Sequence, residues 1–222
     1  MTNKPYMRTI RSFVKREGRL TRGQERAMEV LWPKYGIAYE PEKKLDLPKP
    51  LILEIGFGMG HSLSQMASEH PENHYLGIEV HTPGVGTLLM DIEERNLENI
   101  NVMMHDAVEV LEHMIPNDSL AGVQIFFPDP WHKKRHHKRR LISPQFIHNL
   151  FPKLSTNGFI HLATDWENYA EQMMEVMSAN DAFENTHGDG QYADRGDRPK
   201  TKFENRGERL GHGVWDLFFR KK

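Results

Sequence analysis

The chain has 222 residues, of which 27% are charged and 38% hydrophobic, and its formal net charge is -2. That length carries one well-cored domain, and the composition excludes both a membrane-embedded chain and a wholly disordered one. With no cysteine present, disulfides, thiolate metal sites and a cysteine nucleophile are excluded as well. The near-zero charge hides segregation. Residues 1–30 hold 8 basic and 3 acidic side chains, whereas residues 41–130 hold 4 basic and 15 acidic ones. Basic arms on an acidic body point toward nucleic-acid contact.

The N-terminal stretch has no apolar run of signal-peptide length. The longest apolar runs are strand-sized, far short of the ~20 residues that span a bilayer. A cytoplasmic location and no membrane contact are expected. Residues 1–25 are polar, basic and without a clear period, as in a flexible or weakly helical arm. Residues 38–50 contain three prolines and form a linker. We therefore expect residues 1–45 to be a basic arm and linker, and residues 46–222 to be the functional domain.

Beyond Leu51, short apolar runs alternate with longer amphipathic segments. Strands are expected at 51–55, 74–80, 101–105, 121–127 and 158–164. Helices are expected at 60–69, 84–95, 107–114, 143–151 and 166–178. Ser143 and Pro144 have the residue types of an N-cap and a first helical position. A last strand at 214–220 has no helix after it, so it is expected antiparallel. This alternation predicts an α/β fold with a doubly wound, mostly parallel sheet covered on both faces.

The first strand runs into Glu54-Ile55-Gly56-Phe57-Gly58-Met59-Gly60. Glycines at every second position permit a tight turn and close approach of a ligand to a helix start. Glu79 ends the second strand and Asp106 the third. An acidic residue at the end of strand two can accept from ribose hydroxyls. A dinucleotide pyrophosphate would be repelled by Glu54 beside the turn. A cationic donor such as S-adenosylmethionine, with its amino group and sulfonium, would be attracted. The motif resembles that of class I methyltransferases, whose Rossmann-like sheet is seven-stranded with an antiparallel last strand.

Strand four delivers Phe126-Phe127-Pro128-Asp129-Pro130-Trp131-His132 and then a run with six Lys/Arg and three His between 131 and 140. The two prolines restrain the backbone at Asp129. Trp131 offers a stacking face for a base, and the basic run a trap for phosphates. A metal site on His132, His136 and His137 is disfavoured because the surrounding cations repel a metal ion, and no metal is expected. His161, within a strand, reads as a buried, hydrogen-bonded histidine, and the methionines of the helix after Asp165 as core.

Together with Ala163-Thr164-Asp165-Trp166, Thr201-Lys202-Phe203-Glu204 and Leu210-Gly211-His212-Gly213, these motifs resemble the bacterial tRNA (guanine-N7-)-methyltransferases over about residues 50–219. The resemblance implies methylation of guanine 46 in the tRNA variable loop, with S-adenosylmethionine as donor and tRNA as partner, by a monomer or homodimer. It implies donor contacts from Glu54, Gly56, Gly58, Gly60, Glu79, Asp106 and Asp129, with Asp129 as the catalytic position. It assigns substrate contacts to Lys133, Asp165, Thr201, Lys202, Phe203 and Glu204. RNA contacts fall to Arg135, His136, His137, Lys138, Arg139 and Arg140.

Overall fold

The computed structural model describes residues 10–14, 18–200, 204 and 213–222. Its centre is a sheet of eight strands. In chain order these are β1 (Gly36–Ile37), β2 (Leu51–Ile55), β3 (His74–Ile78), β4 (Ile100–Met103), β5 (Leu120–Phe126), β6 (Leu154–Thr164), β7 (Phe183–Asn185) and β8 (Trp215–Lys221). They lie side by side as β1-β4-β3-β2-β5-β6-β8-β7. Strands β1 to β6 pair in parallel, and β8 runs antiparallel to both β6 and β7. The count is one above the expected seven because of β1, two residues long and too short to leave a periodic signal.

Helices cover the two faces. Three are α1 (Arg22–Val30), α3 (His61–Glu69) and α4 (Thr82–Arg95), which bury Ala27, Leu63, Met66, Leu88 and Ile92 against Ile52, Tyr75 and Val102. On the other face lie α5 (Ala107–His113), α6 (Pro144–Leu150) and α7 (Glu167–Ser178), whose Leu111, Phe146, Leu150 and Met173 pack on Leu53, Ile125 and Leu162. The central strands β2 and β3 are buried at every position, as a sheet covered on both faces requires. The short α2 (Trp32–Tyr35) links α1 to β1. The Ser143 side chain accepts from the Phe146 amide and caps α6 as its residue type predicts.

Part of the segment expected as arm and linker is built into this body. Thr21 and Gln24 form a reciprocal capping box that starts α1. The buried Gln24 side chain then donates to the Pro83 carbonyl (3.0 Å) and to Thr87 Oγ1 (2.9 Å), pinning α1 to α4. Tyr39, Leu45 and Leu47 of the proline-containing stretch pack on the core.

Strand order reverses between β2 and β5. In open α/β sheets a crevice forms there, beyond the carboxyl ends of the strands. The glycine turn after β2, Glu79 after β3, Asp106 after β4 and Asp129 after β5 all emerge along this one edge.

Candidate active site

A cavity of about 360 Å³ occupies that edge, lined by Gly56, Glu79, Asp106, Asp129 and the aromatic ring of Phe127 among others. Gly56, Gly58 and Gly60 have φ of 74°, 60° and 80°, the left-handed region that side chains other than glycine disfavour. Their surroundings differ. A Cβ on Gly56 or Gly58 would meet nothing within 4 Å, whereas one on Gly60 would sit 2.6 Å from Leu88 Cβ. The first two glycines therefore form an open cradle, and the third lets α3 close on α4.

Glu79 holds the cradle in shape. Its Oε2 accepts from the Gly58 amide (2.9 Å), and its Oε1 accepts from the amides of Val80 (2.6 Å) and His81 (3.0 Å). Oε2 retains acceptor capacity toward the cavity. Glu54 is buried at the root of the turn, and its Oε2 has no hydrogen-bond partner among the described residues. Burial, with Glu79 close by, pushes its carboxyl up to about 8. An orphaned acid beneath an open glycine cradle fits a ligand that brings positive charge.

Asp106 is half-buried, and one of its oxygens caps α5 by accepting from the Val108 amide (3.0 Å). Burial raises its pKa and that hydrogen bond opposes the rise. Asp129 is exposed at the cavity rim. Phe127 (φ 50°) and Trp131 (φ 48°) bracket it in left-handed conformations, which for non-glycine residues store strain of order 1–2 kcal/mol each.

The basic run forms a 3₁₀ turn at Lys134–Arg139. Lys133, Lys134, Arg135 and Lys138 are exposed, and His136 and His137 half-buried. Two residues depart from expectation. Arg140, expected to contact RNA, is 4% exposed. Its guanidinium donates to the Pro130 carbonyl (2.8 Å), Gln172 Oε1 (2.7 Å) and Asn168 Oδ1 (3.0 Å), and lies 4.7 Å over the Tyr169 ring. Asn168 and Gln172 tie it to α7. Trp131, expected to stack a base, is engaged within the chain: Arg139 lies over its ring and Nε1 donates to the Ser12 carbonyl (3.0 Å).

Ser12, Phe13 and Val14 consequently line the cavity, a contact that no sequence signal announces. Asp165 is half-buried beyond β6, beside the exposed Trp166, whose ring meets His132 edge-on at 4.3 Å. Thr201, Lys202 and Phe203 lie outside the described residues. Glu204 is buried, with both carboxylate oxygens on Arg198. His161 is buried and hydrogen-bonded to Asp216 (2.8 Å). Among the described residues no group of three or more His, Asp or Glu is placed to hold a metal ion, and no helix is long and apolar enough to cross a membrane.

The sheet order, the glycine cradle and the strand-end acids define a class I methyltransferase fold. It is shared with a 16S rRNA methyltransferase of known structure (TM-score 0.57, 13% identity, covering 97% of this chain and 100% of that one). A solved rRNA methylase from Streptococcus thermophilus shares it too (TM-score 0.52, 10% identity, 92% and 99% covered). Residues 48–217 match the family described as putative methyltransferase. The chain is 59% identical to the tRNA (guanine-N(7)-)-methyltransferase of Aeromonas hydrophila, covering 97% of this chain and 94% of that protein. It is 57% identical to that of Neisseria meningitidis serogroup A, with 96% and 92% covered. The chain belongs to the tRNA (guanine-N(7)-)-methyltransferase family.

Proposed function

We propose that this chain transfers the sulfonium methyl group of S-adenosylmethionine to N7 of a guanine in tRNA, and that the target is guanine 46 of the variable loop. The observation that carries the reading is the family-level likeness along nearly the whole chain, joined to a cavity whose acids suit a cationic donor. When bound, the donor supplies an electrophilic methyl group.

The chain's own residues then have little proton chemistry to perform, because guanine N7 already presents an in-plane lone pair. The Gly56–Gly58 cradle and Glu79 seat the donor, with Glu54 and Asp106 favouring its positive charge and its polar groups. Asp129, at the rim, orients the reacting groups and stabilises positive charge as it develops on the methylated base. Asp165 accepts from guanine N1–H and the exocyclic amine, which adenine cannot offer in that pattern. Lys133, Thr201, Lys202 and Phe203 contact the substrate nucleotide, and the exposed cations Arg135 and Lys138 hold phosphates. The half-buried His136, His137 and Arg139 shape the turn that presents them. We place the protein in the cytoplasm, as a monomer or homodimer, with residues 1–45 serving as an extension of the catalytic body at 46–222.

The test is methyl transfer from labelled S-adenosylmethionine to unmodified tRNA, followed by reductive strand scission at 7-methylguanine. Scission within the variable loop is expected. Labelled tRNA without scission there would overturn the assignment of the target, and unlabelled tRNA would overturn the activity.

A further inference from the structure

The sheet face that packs on α1, α3 and α4 does not end at β2. Register places Ile52 beside Gly122 and Gly122 beside Phe159, and it places Gln124 beside His161 and His161 beside Phe218. Ile52, Gln124, Phe159, His161 and Phe218 line a second cavity, of about 450 Å³. His70 and Asn73, in the connection that enters β3, line it too, so it reaches the amino edge of the parallel strands. The donor cavity lies at the opposite, carboxyl edge. The volume falls within the ~300–1,000 Å³ of small-molecule sites.

The floor of this cavity is aromatic. A Cβ on Gly122 would sit 2.3 Å from the Phe159 ring, so glycine is what lets that ring lie down on β5. Phe159 in turn stacks on Phe218, with centroids 5.2 Å apart and an interplanar angle of 15°. In the wall, the buried Gln124 has an Oε1 with no hydrogen-bond partner among the described residues. The Tyr75 hydroxyl has none either, with Asn73 close by but outside hydrogen-bonding geometry. Buried polar atoms are rarely left unpaired, and two in one cavity wall call for partners that the protein does not supply.

The rim carries charge. Arg195 and Arg220 are exposed, line the cavity and form no ion pair among the described residues. Asp194 and Asp197 stand at the same rim. Arg198 and His161 also line the cavity, but both are hydrogen-bonded to Asp216 (2.7 and 2.8 Å). Two uncommitted guanidiniums suit a phosphate, whose oxygens accept from their planar forks. An amide and a hydroxyl each donate and accept, which matches the edge of a heterocyclic base, and aromatic faces stack any base.

We propose that this second cavity binds a 5′-nucleotide, with the base on the Phe159–Phe218 floor against Gln124 and Tyr75, and the phosphate on Arg195 and Arg220. Asp194 and Asp197 accept from the ribose hydroxyls. The nucleotide is either free in solution or part of a bound RNA, away from the methylated base.

The probe is guanosine 5′-monophosphate, titrated by calorimetry with S-adenosylhomocysteine present to fill the donor cavity. Wild type is compared with Arg220→Ala, Gln124→Leu and Asp165→Ala. Arg220→Ala and Gln124→Leu are each expected to weaken binding by about tenfold. Asp165→Ala, which alters the base-reading acid of the methyl-transfer site, should bind the probe as wild type does. Without nucleotide, the Tm of Gln124→Leu should equal or exceed that of wild type, because an unpaired buried acceptor is removed. Tyr75→Phe replaces Gln124→Leu in the set if the leucine variant does not fold. Saturating tRNA that displaces the probe from wild type assigns the cavity to an RNA nucleotide, and tRNA that leaves the probe bound assigns it to a free one. No binding at millimolar probe would overturn the proposal. So would affinity lost in Asp165→Ala and kept in Arg220→Ala, or a Gln124→Leu variant that binds like wild type. Binding is read directly, so protein that binds the probe yet is inert on tRNA would refute the methyl-transfer reading alone.

Discussion

The guanidinium of Arg139 lies 3.9 Å from the centroid of the Trp131 ring, and together these two side chains hold the backbone of residues 11–13. Arg139 donates to the carbonyls of Arg11 (3.1 Å) and Phe13 (3.3 Å), and Trp131 to that of Ser12 (3.0 Å). Ser12 to Val14 line the same cavity as Glu79 and Asp129, so on the proposed reading we expect Trp131 to affect donor binding through them. Trp131→Ala removes one hydrogen bond and one cation–π contact, together about 1.5–2 kcal/mol. We expect S-adenosylhomocysteine affinity to fall by about tenfold, read by calorimetry. An unchanged Kd would show that residues 12–14 contribute nothing to the site.

On the proposed reading, we expect Glu54 to make donor binding depend on pH. Its carboxyl titrates at about 8 in the folded chain against an ordinary 4.5, so between those values the folded state keeps a proton that the unfolded state releases. The stability it contributes is present at low pH and declines as pH rises from about 4.5 to about 8. A cationic donor favours the ionised form, so its affinity should rise with pH up to about 8 and binding should expel a proton. Calorimetry at pH 7 in two buffers of different ionisation enthalpy reads that proton. Glu54→Gln should bind more weakly and lose this part of the pH dependence, and proton uptake by the wild type would contradict the assignment.

The glycines of the turn should separate into two behaviours. Gly58→Ala places a methyl group in open space at φ 60°, costing about 1–2 kcal/mol of backbone strain and narrowing the cradle. Gly60→Ala adds overpacking against Leu88, about 1–3 kcal/mol more. Urea midpoints should fall further for Gly60→Ala, while donor affinity per folded molecule should fall further for Gly58→Ala. The reverse order would show that the cradle is misassigned.

The basic run should divide in the same way. Arg135 and Lys138 are exposed, so Arg135→Ala and Lys138→Ala should each reduce the slope of log K for tRNA against log salt by about 1. Arg140→Ala should leave that slope unchanged and lower Tm, because a buried guanidinium with five protein acceptors is removed. A slope change in Arg140→Ala would return that residue to the RNA face.

The parallel strands are legible in the sequence because burial on both faces produces near-continuous apolar runs, as in Leu51–Ile55, where Glu54 is the one polar residue. The glycine turn is legible because positive φ demands glycine. Helix α1 carries a readable signal, the Thr21–Gln24 capping box, masked by a charge-rich composition that resembles an arm. The fates of Arg140 and Arg198 are not legible at all. Nothing local distinguishes an arginine that meets phosphate from one that meets Asn168, or Asp216 and Glu204, since those partners arrive from 18 to 32 residues away or by loop closure.

The sheet ends on β1 with two residues and on β7 with three. A passing extended chain finds only two or three N–H and C=O groups to pair with on either side, too few to template another strand. The described body is thereby guarded against edge-to-edge polymerisation, and a second copy would have to join it through helices, loops or side chains.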